Sequence, residues 1–139
     1  MMEWFKNEFM ISDNEELIDF NVVTQLLSNT YWASNRTKET IEKSVKNSLC
    51  FGLYISGRQI GFARVATDKA VFSWILDVII ADNYRGKGLG QWLMNYIFEY
   101  PEIKYTAFGL ATADAHNFYK KFGFKDNNCM TRSILTTKY

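Results

Sequence analysis

Apolar positions change their spacing several times along the chain, and each change marks an element. Phe9 to Ile11 is a short apolar run that reads as a first strand. Val22, Val23, Leu26 and Leu27 then recur at helical spacing behind Asn21, a residue type suited to an N-cap. Thr37 is a second candidate cap, and Ile41 and Val45 line one face of a short, otherwise charged helix. Leu49 to Ile55 and Ile60 to Ala66 are apolar runs around Ser56-Gly57-Arg58, the pattern of an antiparallel hairpin. Asp68-Lys69-Ala70 makes a further turn, and Phe72 to Ala81 follows as a buried strand.

The clearest helix comes next. Leu89, Trp92, Leu93, Tyr96 and Ile97 keep i, i+3, i+4, i+7, i+8 spacing, and Pro101 stops the helix. Lys104 to Leu110 reads as a strand. Ala111, Ala115, Phe118, Tyr119 and Phe122 line another helix, which Gly123 ends. Phe124 to Asp126 and Met130 to Thr136 read as closing strands around a polar turn at Asn127-Asn128. The order is strand, two helices, three strands, helix, strand, helix, two strands. This is an α+β pattern: a mixed, mostly antiparallel sheet with helices packed on it. Phe72 to Leu110 forms a parallel crossover whose loop lies at the C-terminal end of a strand, where such units usually bind ligands. Pro101 is the single proline, and no linker, repeat or charge block divides residues 1–139. One domain is expected.

Composition narrows the function. The chain has 16 basic and 15 acidic residues, a net charge of +1. Nucleic-acid binding usually leaves a basic excess or stripe, and neither is present. Cys50 and Cys129 match no metal spacing, and His116 is the single histidine, so no metal is expected. Both cysteines are expected reduced and mostly buried, which suits a cytoplasmic protein. The opening MMEWFKNEFM does not read as a signal peptide. The most apolar stretch, Trp74 to Ala81, is too short to span a membrane and is interrupted by Asp77.

The candidate chemistry centres on Arg85-Gly86-Lys87-Gly88-Leu89-Gly90. Its glycines would weaken any regular element, so they point to a sharp turn and a close backbone approach. The helix that follows offers unpaired N–H groups and the positive end of its dipole. Arg85 and Lys87 add two cations. Backbone donors, dipole and cations suit a phosphate or pyrophosphate. The run matches neither the Walker A pattern nor G-x-G-x-x-G. A flexible turn without a ligand is the bland alternative.

Arg85, Gly88 and Gly90 fit R-x-x-G-x-G, which resembles the Q/R-x-x-G-x-G/A signature of the GNAT N-acetyltransferase superfamily. LDVIIADNYRGKGLGQWLM resembles that family's fourth strand, pyrophosphate loop and third helix. AHNFYKKFGF resembles its later motif, a helix ending in Tyr-x-x-x-Gly-Phe. Residues 1–45 match only in their order of elements. The resemblance implies a six- to seven-stranded sheet with about four helices, whose central parallel pair splays to hold acetyl-CoA. It implies backbone contacts from Val78, Ile79 and Ile80 to the pantetheine arm. It implies pyrophosphate binding by Arg85, Gly86, Lys87, Gly88, Leu89 and Gly90. The implied reaction is direct attack by a primary amine, of a small-molecule acceptor, on the thioester in a ternary complex. Tyr119 occupies the position of the family's proton donor to the departing thiolate.

Other residues carry competing readings. Asp77 is either a general base, or anchor for the amine, or a structural carboxylate with a paired partner. Tyr31, Trp32 and Trp74 either wall the acceptor pocket or pack the core. His116 is a surface or cap residue or a catalytic one. Lys120-Lys121 is a solvated face or meets the cofactor's 3′-phosphate. Thr112 stands where many family members have a pantetheine-binding asparagine, and Asn117 is the candidate substitute. The expected partners are acetyl-CoA and an amine, with a homodimer compatible and neither nucleic acid nor membrane expected. The alternative is a non-catalytic acyl-CoA-binding module on the same fold. A cysteine hydrolase built on Cys50 and His116 lacks any supporting motif.

Overall fold

The computed structural model describes residues 1–133. Six strands form one sheet in sequence order: β1 (Glu3–Lys6), β2 (Phe9–Ser12), β3 (Leu49–Ile55), β4 (Arg58–Thr67), β5 (Phe72–Ile80) and β6 (Ala107–Gly109). Neighbours from β1 to β5 are antiparallel, and β5 with β6 is parallel. Four helices accompany them: α1 (Phe20–Ser28), α2 (Lys38–Lys46), α3 (Leu89–Phe98) and α4 (His116–Lys120). The mixed α+β sheet with a parallel pair is the architecture that the hydrophobic pattern implied.

Local chemistry explains most boundaries. Ser56 and Gly57 both take positive φ, 49° and 78°, and join β3 to β4 as a two-residue turn. That hand of turn matches the twist of the strands it connects. Thr37 caps α2 through the N–H of Thr40, as its position suggested. The cap of α1 is Asp19, not Asn21. Its carboxylate accepts from the N–H groups of Asn21 and Val22, which places Asn21 inside the first turn. The Asp19 N–H donates to Gln59 Oε1 on β4, so the helix start is also tied to the sheet.

Two apolar layers sit on the two faces of the sheet. On one face α3 buries Leu89, Leu93, Met94 and Ile97 against Phe51, Leu53 and Val65. On the other, Val23 and Leu27 of α1 meet Ile41 and Val45 of α2 over Cys50, Phe62 and Ile79. The 3.6-residue period of each helix places these residues in one stripe.

Several elements differ from the sequence pattern. β1 was not anticipated, because most of it is exposed and no buried stripe marks it. Trp4 gives it a footing, with its ring 4.8 Å from that of Tyr96. The strand expected over Lys104–Leu110 shrinks to β6. The N–H groups of Ile103 and Lys104 both donate to Tyr100 O, and that of Thr106 donates to Ile103 O. The backbone spends these donors on turns before it can pair. The helix expected from Ala111 to Phe122 is also shorter. Thr112 Oγ1 accepts from the Ala115 N–H, which makes a local turn there instead. Gly123 does take a left-handed φ of 89° beyond α4.

The closing strands are not formed over residues 124–133, where no ladder pairs the backbone. The end of the second, at residues 134–136, lies outside the described residues. Cys129 belongs to this stretch and is exposed, contrary to the expectation that both cysteines are buried. Cys50 is buried, and desolvation pushes its thiol up to about 12. Among the described residues, no helix is long and apolar enough to cross a membrane.

Leu93 is fully buried between α3 and the sheet. Leu93→Ala is expected to cost about 3 kcal/mol through lost burial and the cavity left behind. Urea denaturation monitored by circular dichroism reads this as a lower midpoint with unchanged slope.

Candidate functional site

The site begins where the parallel pair stops pairing. β6 meets β5 only at Phe72, Ser73 and Trp74. From Ile75 to Ile80, β5 keeps its antiparallel neighbour β4 but has no strand on the other edge among the described residues. The backbone N–H and C=O groups aimed at that edge are available to an extended guest.

A bulge shapes the same stretch. Phe62 pairs with Ile79 and Arg64 with Leu76, so Asp77 and Val78 together oppose Ala63. Asp77 takes a φ of 56°, which suits the first position of such a bulge. The extra residue changes the phase of the strand. Ile75 packs in the layer with α3, whereas Ile79 packs with α1 and α2. Strict alternation would have kept both on one face.

A cleft of about 960 Å³ opens on the free edge. Val78, Ile79 and Ile80 form its floor. The loop from Arg85 to the start of α3 closes one end, contributing Gly86, Gly88, Leu89 and Gly90. Phe118 and Tyr119 of α4 line it, as do Tyr31 and Trp32 from the α1–α2 connection. Most of the residues singled out from sequence are thus brought together. Lys87 and Asn117 are exposed and do not line this cleft, and neither does Asp77.

At the loop, the chain makes a short 3-10 turn over Asp82–Tyr84 and then enters α3 through Gly88. Gly88 is the N-cap at φ 77°, with no side-chain hydrogen bond in the cap. The helix's own ladder begins with the Trp92 N–H to Gly88 O, so the N–H groups just before it lack intrahelical acceptors. They lie at the cleft with the positive end of the helix dipole. Arg85 adds its charge nearby, held by Nε to Ile80 O at 3.0 Å and by an ion pair to Asp82 at 3.0 Å. A β-carbon on Gly86 or Gly88 would meet no atom within 4 Å. Glycine is favoured at Gly88 by its φ and leaves the space above it open.

Tyr119 is half-buried, with its ring 5.0 Å from that of Phe118. Burial, then the neighbouring Tyr31 and Asp114, push its phenol up to about 12. It therefore keeps its proton at neutral pH and can act as a donor.

Asp77 is almost fully buried. Its Oδ2 accepts from Arg36 Nη1 at 2.7 Å and from Arg64 Nε at 3.0 Å, and its Oδ1 accepts from Trp32 Nε1 at 3.2 Å. Sequence reasoning missed Arg36 and Arg64. The signal was the acid in an apolar strand, which required a partner without saying which. Trp74 and His116 line a second cleft beside β6 and the segment after α4, apart from Trp32 and Tyr31. Lys121 lines the first cleft, while Lys120 faces Asp126 at 3.9 Å. Among the described residues, no group of three or more His, Cys, Asp or Glu could hold a metal ion.

The acetyltransferase (GNAT) domain model matches residues 46–126, which contain β3 to α4. A crystal structure from Xanthomonas campestris pv. campestris, described as a GNAT-family acetyltransferase, is 32% identical with a TM-score of 0.87. The match covers 91% of this chain and 93% of that one. An uncharacterized N-acetyltransferase of Prochlorococcus marinus is 32% identical over 123 residues, covering 81% of this chain and 68% of that protein. A GNAT acetyltransferase of Elizabethkingia anophelis, solved with acetyl-CoA bound, shares the fold at 16% identity and a TM-score of 0.68 over 88% of this chain and 80% of that one. Together with the open edge of β5 and the glycine-started helix, these matches place the chain in the GNAT acetyltransferase family.

Proposed function

We propose that the protein transfers an acetyl group from acetyl-CoA to a primary amine of a small molecule, by direct attack in a ternary complex. The observation that carries this reading is the continuity of three features along one cleft. A free strand edge from Val78 to Ile80 leads to the start of α3, which has no side-chain cap, and Tyr119 lines the same cleft.

Each feature has a chemical task. The N–H groups at the start of α3, with Gly86 and Gly88 beneath them, hold the pyrophosphate, and Arg85 adds positive charge. Lys87 is exposed beside the loop and supplies long-range attraction to the phosphates. The edge of Val78–Ile80 pairs with the amides of the pantetheine arm. Asn117 on α4 is exposed outside the cleft, so the contact to that arm rests on the strand edge. Acetyl-CoA supplies the acyl group as a thioester.

The neutral amine forms a bond to the thioester carbon. A backbone N–H near Ile79 or Ile80 accommodates the charge that develops on oxygen. The carbon–sulfur bond then breaks. Tyr119 passes its phenolic proton to the leaving sulfur, and the proton lost from the amine nitrogen returns to the phenolate through solvent, leaving amide, free thiol and the original phenol. Burial keeps the phenol protonated at working pH, as its ordinary value already does, and makes it a weaker acid, so its contribution rests on its position beside the leaving sulfur.

Two variants test the assignment. Tyr119→Phe is expected to lower kcat about a hundredfold, in the range of general acid catalysis, while leaving CoA affinity unchanged. A thiol-release assay with acetyl-CoA and a panel of primary amines measures it. Any alkaline decline below about pH 10 is expected to persist in the variant, since Tyr119 does not titrate there. A wild-type protein that binds CoA but transfers to no amine would favour the non-catalytic module.

Gly88→Glu is expected to abolish CoA binding in calorimetry, because the side chain enters the phosphate site with the same sign of charge. Gly88→Ala controls for the left-handed backbone, which costs about 1–2 kcal/mol in any residue with a β-carbon. It should keep more affinity than the glutamate. Equal CoA affinity in folded Gly88→Glu and wild type would overturn the placement.

A further inference from the structure

Asp77 sits at an unusual backbone position and gathers donors from two other parts of the chain. Trp32 and Arg36 belong to the connection between α1 and α2, and Arg64 belongs to β4. The carboxylate side chain is 2% exposed, and the two arginine side chains are 9% and 12% exposed. Such a group costs free energy to bury unless it is fully paired, and here each oxygen is engaged. Asp77 does not line the cleft, so it does not reach a reacting amine directly.

Glycine would satisfy a φ of 56° with less strain than aspartate. What the carboxylate adds is a tie. Trp32 is the residue through which that tie reaches the cleft, since it both lines the cleft and donates to Asp77. Its neighbour Tyr31 packs edge-on against it at 5.0 Å and accepts from the Ala113 N–H at 2.8 Å. Among the described residues, the Tyr31–Trp32 pair is hydrogen-bonded to the rest of the fold at two places. One fastening is buried at Asp77, and the other is exposed at Ala113.

We propose that Asp77 is a positioning residue for the transfer reaction, which holds the Tyr31–Trp32 wall at a fixed distance from the β5 edge where the acyl group would lie. This role rests on the acetyltransfer reading for its consequence, but the tie itself is a property of the free protein. From the bulge Asp77 reaches the α1–α2 connection, where Arg36 and Arg64 both donate to its Oδ2 and the Trp32 indole donates to its Oδ1. The wall so fixed is the acceptor side of the cleft, so the amine rather than the CoA is the ligand that depends on it.

Asp77→Gly separates backbone from tie, because it tolerates the φ and deletes every side-chain hydrogen bond. In the free protein, the Trp32 indole N–H resonance is expected to shift. Amides of residues 30–36 should exchange about tenfold faster or more, as loss of a charge-assisted hydrogen bond permits. CoA affinity by calorimetry should stay close to wild type, since the loop at α3 is untouched. In turnover with a primary-amine panel, the deficit should fall on the amine KM and not on the acetyl-CoA KM.

Unchanged indole resonance and unchanged exchange in Asp77→Gly would overturn the proposal, as would a deficit confined to acetyl-CoA. If that variant does not fold, Trp32→Phe removes only the indole donor and reads the same exchange at residues 30–36. Unchanged exchange there would likewise overturn it. Failure of the wild type to bind CoA would defeat the acetyltransfer reading instead, and the exchange result would stand apart from it.

Discussion

Trp74 is the last residue of β5 with a partner on β6, and the geometry of the cleft depends on that divergence. A parallel pair that continued to Ile80 would consume the backbone donors and acceptors of Val78–Ile80 in its own ladder. Because β6 spans only Ala107–Gly109, the rest of the β5 edge has no strand partner among the described residues. Buried or half-buried backbone polar groups need partners, so an open edge inside a cleft favours an extended, amide-bearing ligand. The loop and α3 then follow at the C-terminal end of that same strand. Edge and glycine-started helix are therefore set in line by the chain's order, without any long-range device.

The two apolar layers stabilise the divergence. α3 is clamped to one face of the sheet by Leu93, Met94 and Ile97, all fully buried, so its N-terminus cannot drift from the end of β5. α1 and α2 cover the opposite face through Val23, Leu27, Ile41 and Val45. Ile79 packs into that second layer, whereas Ile75 packs into the first. The bulge at Asp77 thus lets a single strand serve both layers while its free edge lines a ligand cleft. A strand with unbroken alternation would have committed one face throughout.

What was legible in the sequence follows from how local each signal is. The spacing of Leu89, Trp92, Leu93, Tyr96 and Ile97 specifies α3 because a 3.6-residue period is visible within one element. Gly86 and Gly88 marked the loop for the same reason, and both take positive φ. The cap of α1 was misplaced because Asp19 and Asn21 are both good cap residues, and the choice depends on where Gln59 holds the chain. β1 and the short β6 were harder. The Lys104 N–H donates to Tyr100 O in a local turn that competes with the strand pattern, whereas the footing of Trp4 on Tyr96 is set by a residue distant in sequence. Arg36 and Arg64 were invisible as partners of Asp77 because they lie 41 and 13 residues away from it.

Asp77 and Tyr119 show how surroundings divide roles between ionisable groups. Asp77 is buried and Tyr119 is half-buried. Around Asp77, two guanidinium groups and an indole N–H donate to the carboxylate oxygens. A carboxylate so engaged is placed to anchor the segments that donate to it. Around Tyr119, the neighbours are Phe118, Phe124, Tyr31 and Asp114, none of which favours a phenolate. The phenol is left protonated, and its raised pKa means that stabilisation present below about pH 10 is lost as pH climbs toward 12. The two groups differ through their neighbours: hydrogen-bond donors surround the acid, while aromatic rings and a carboxylate surround the phenol.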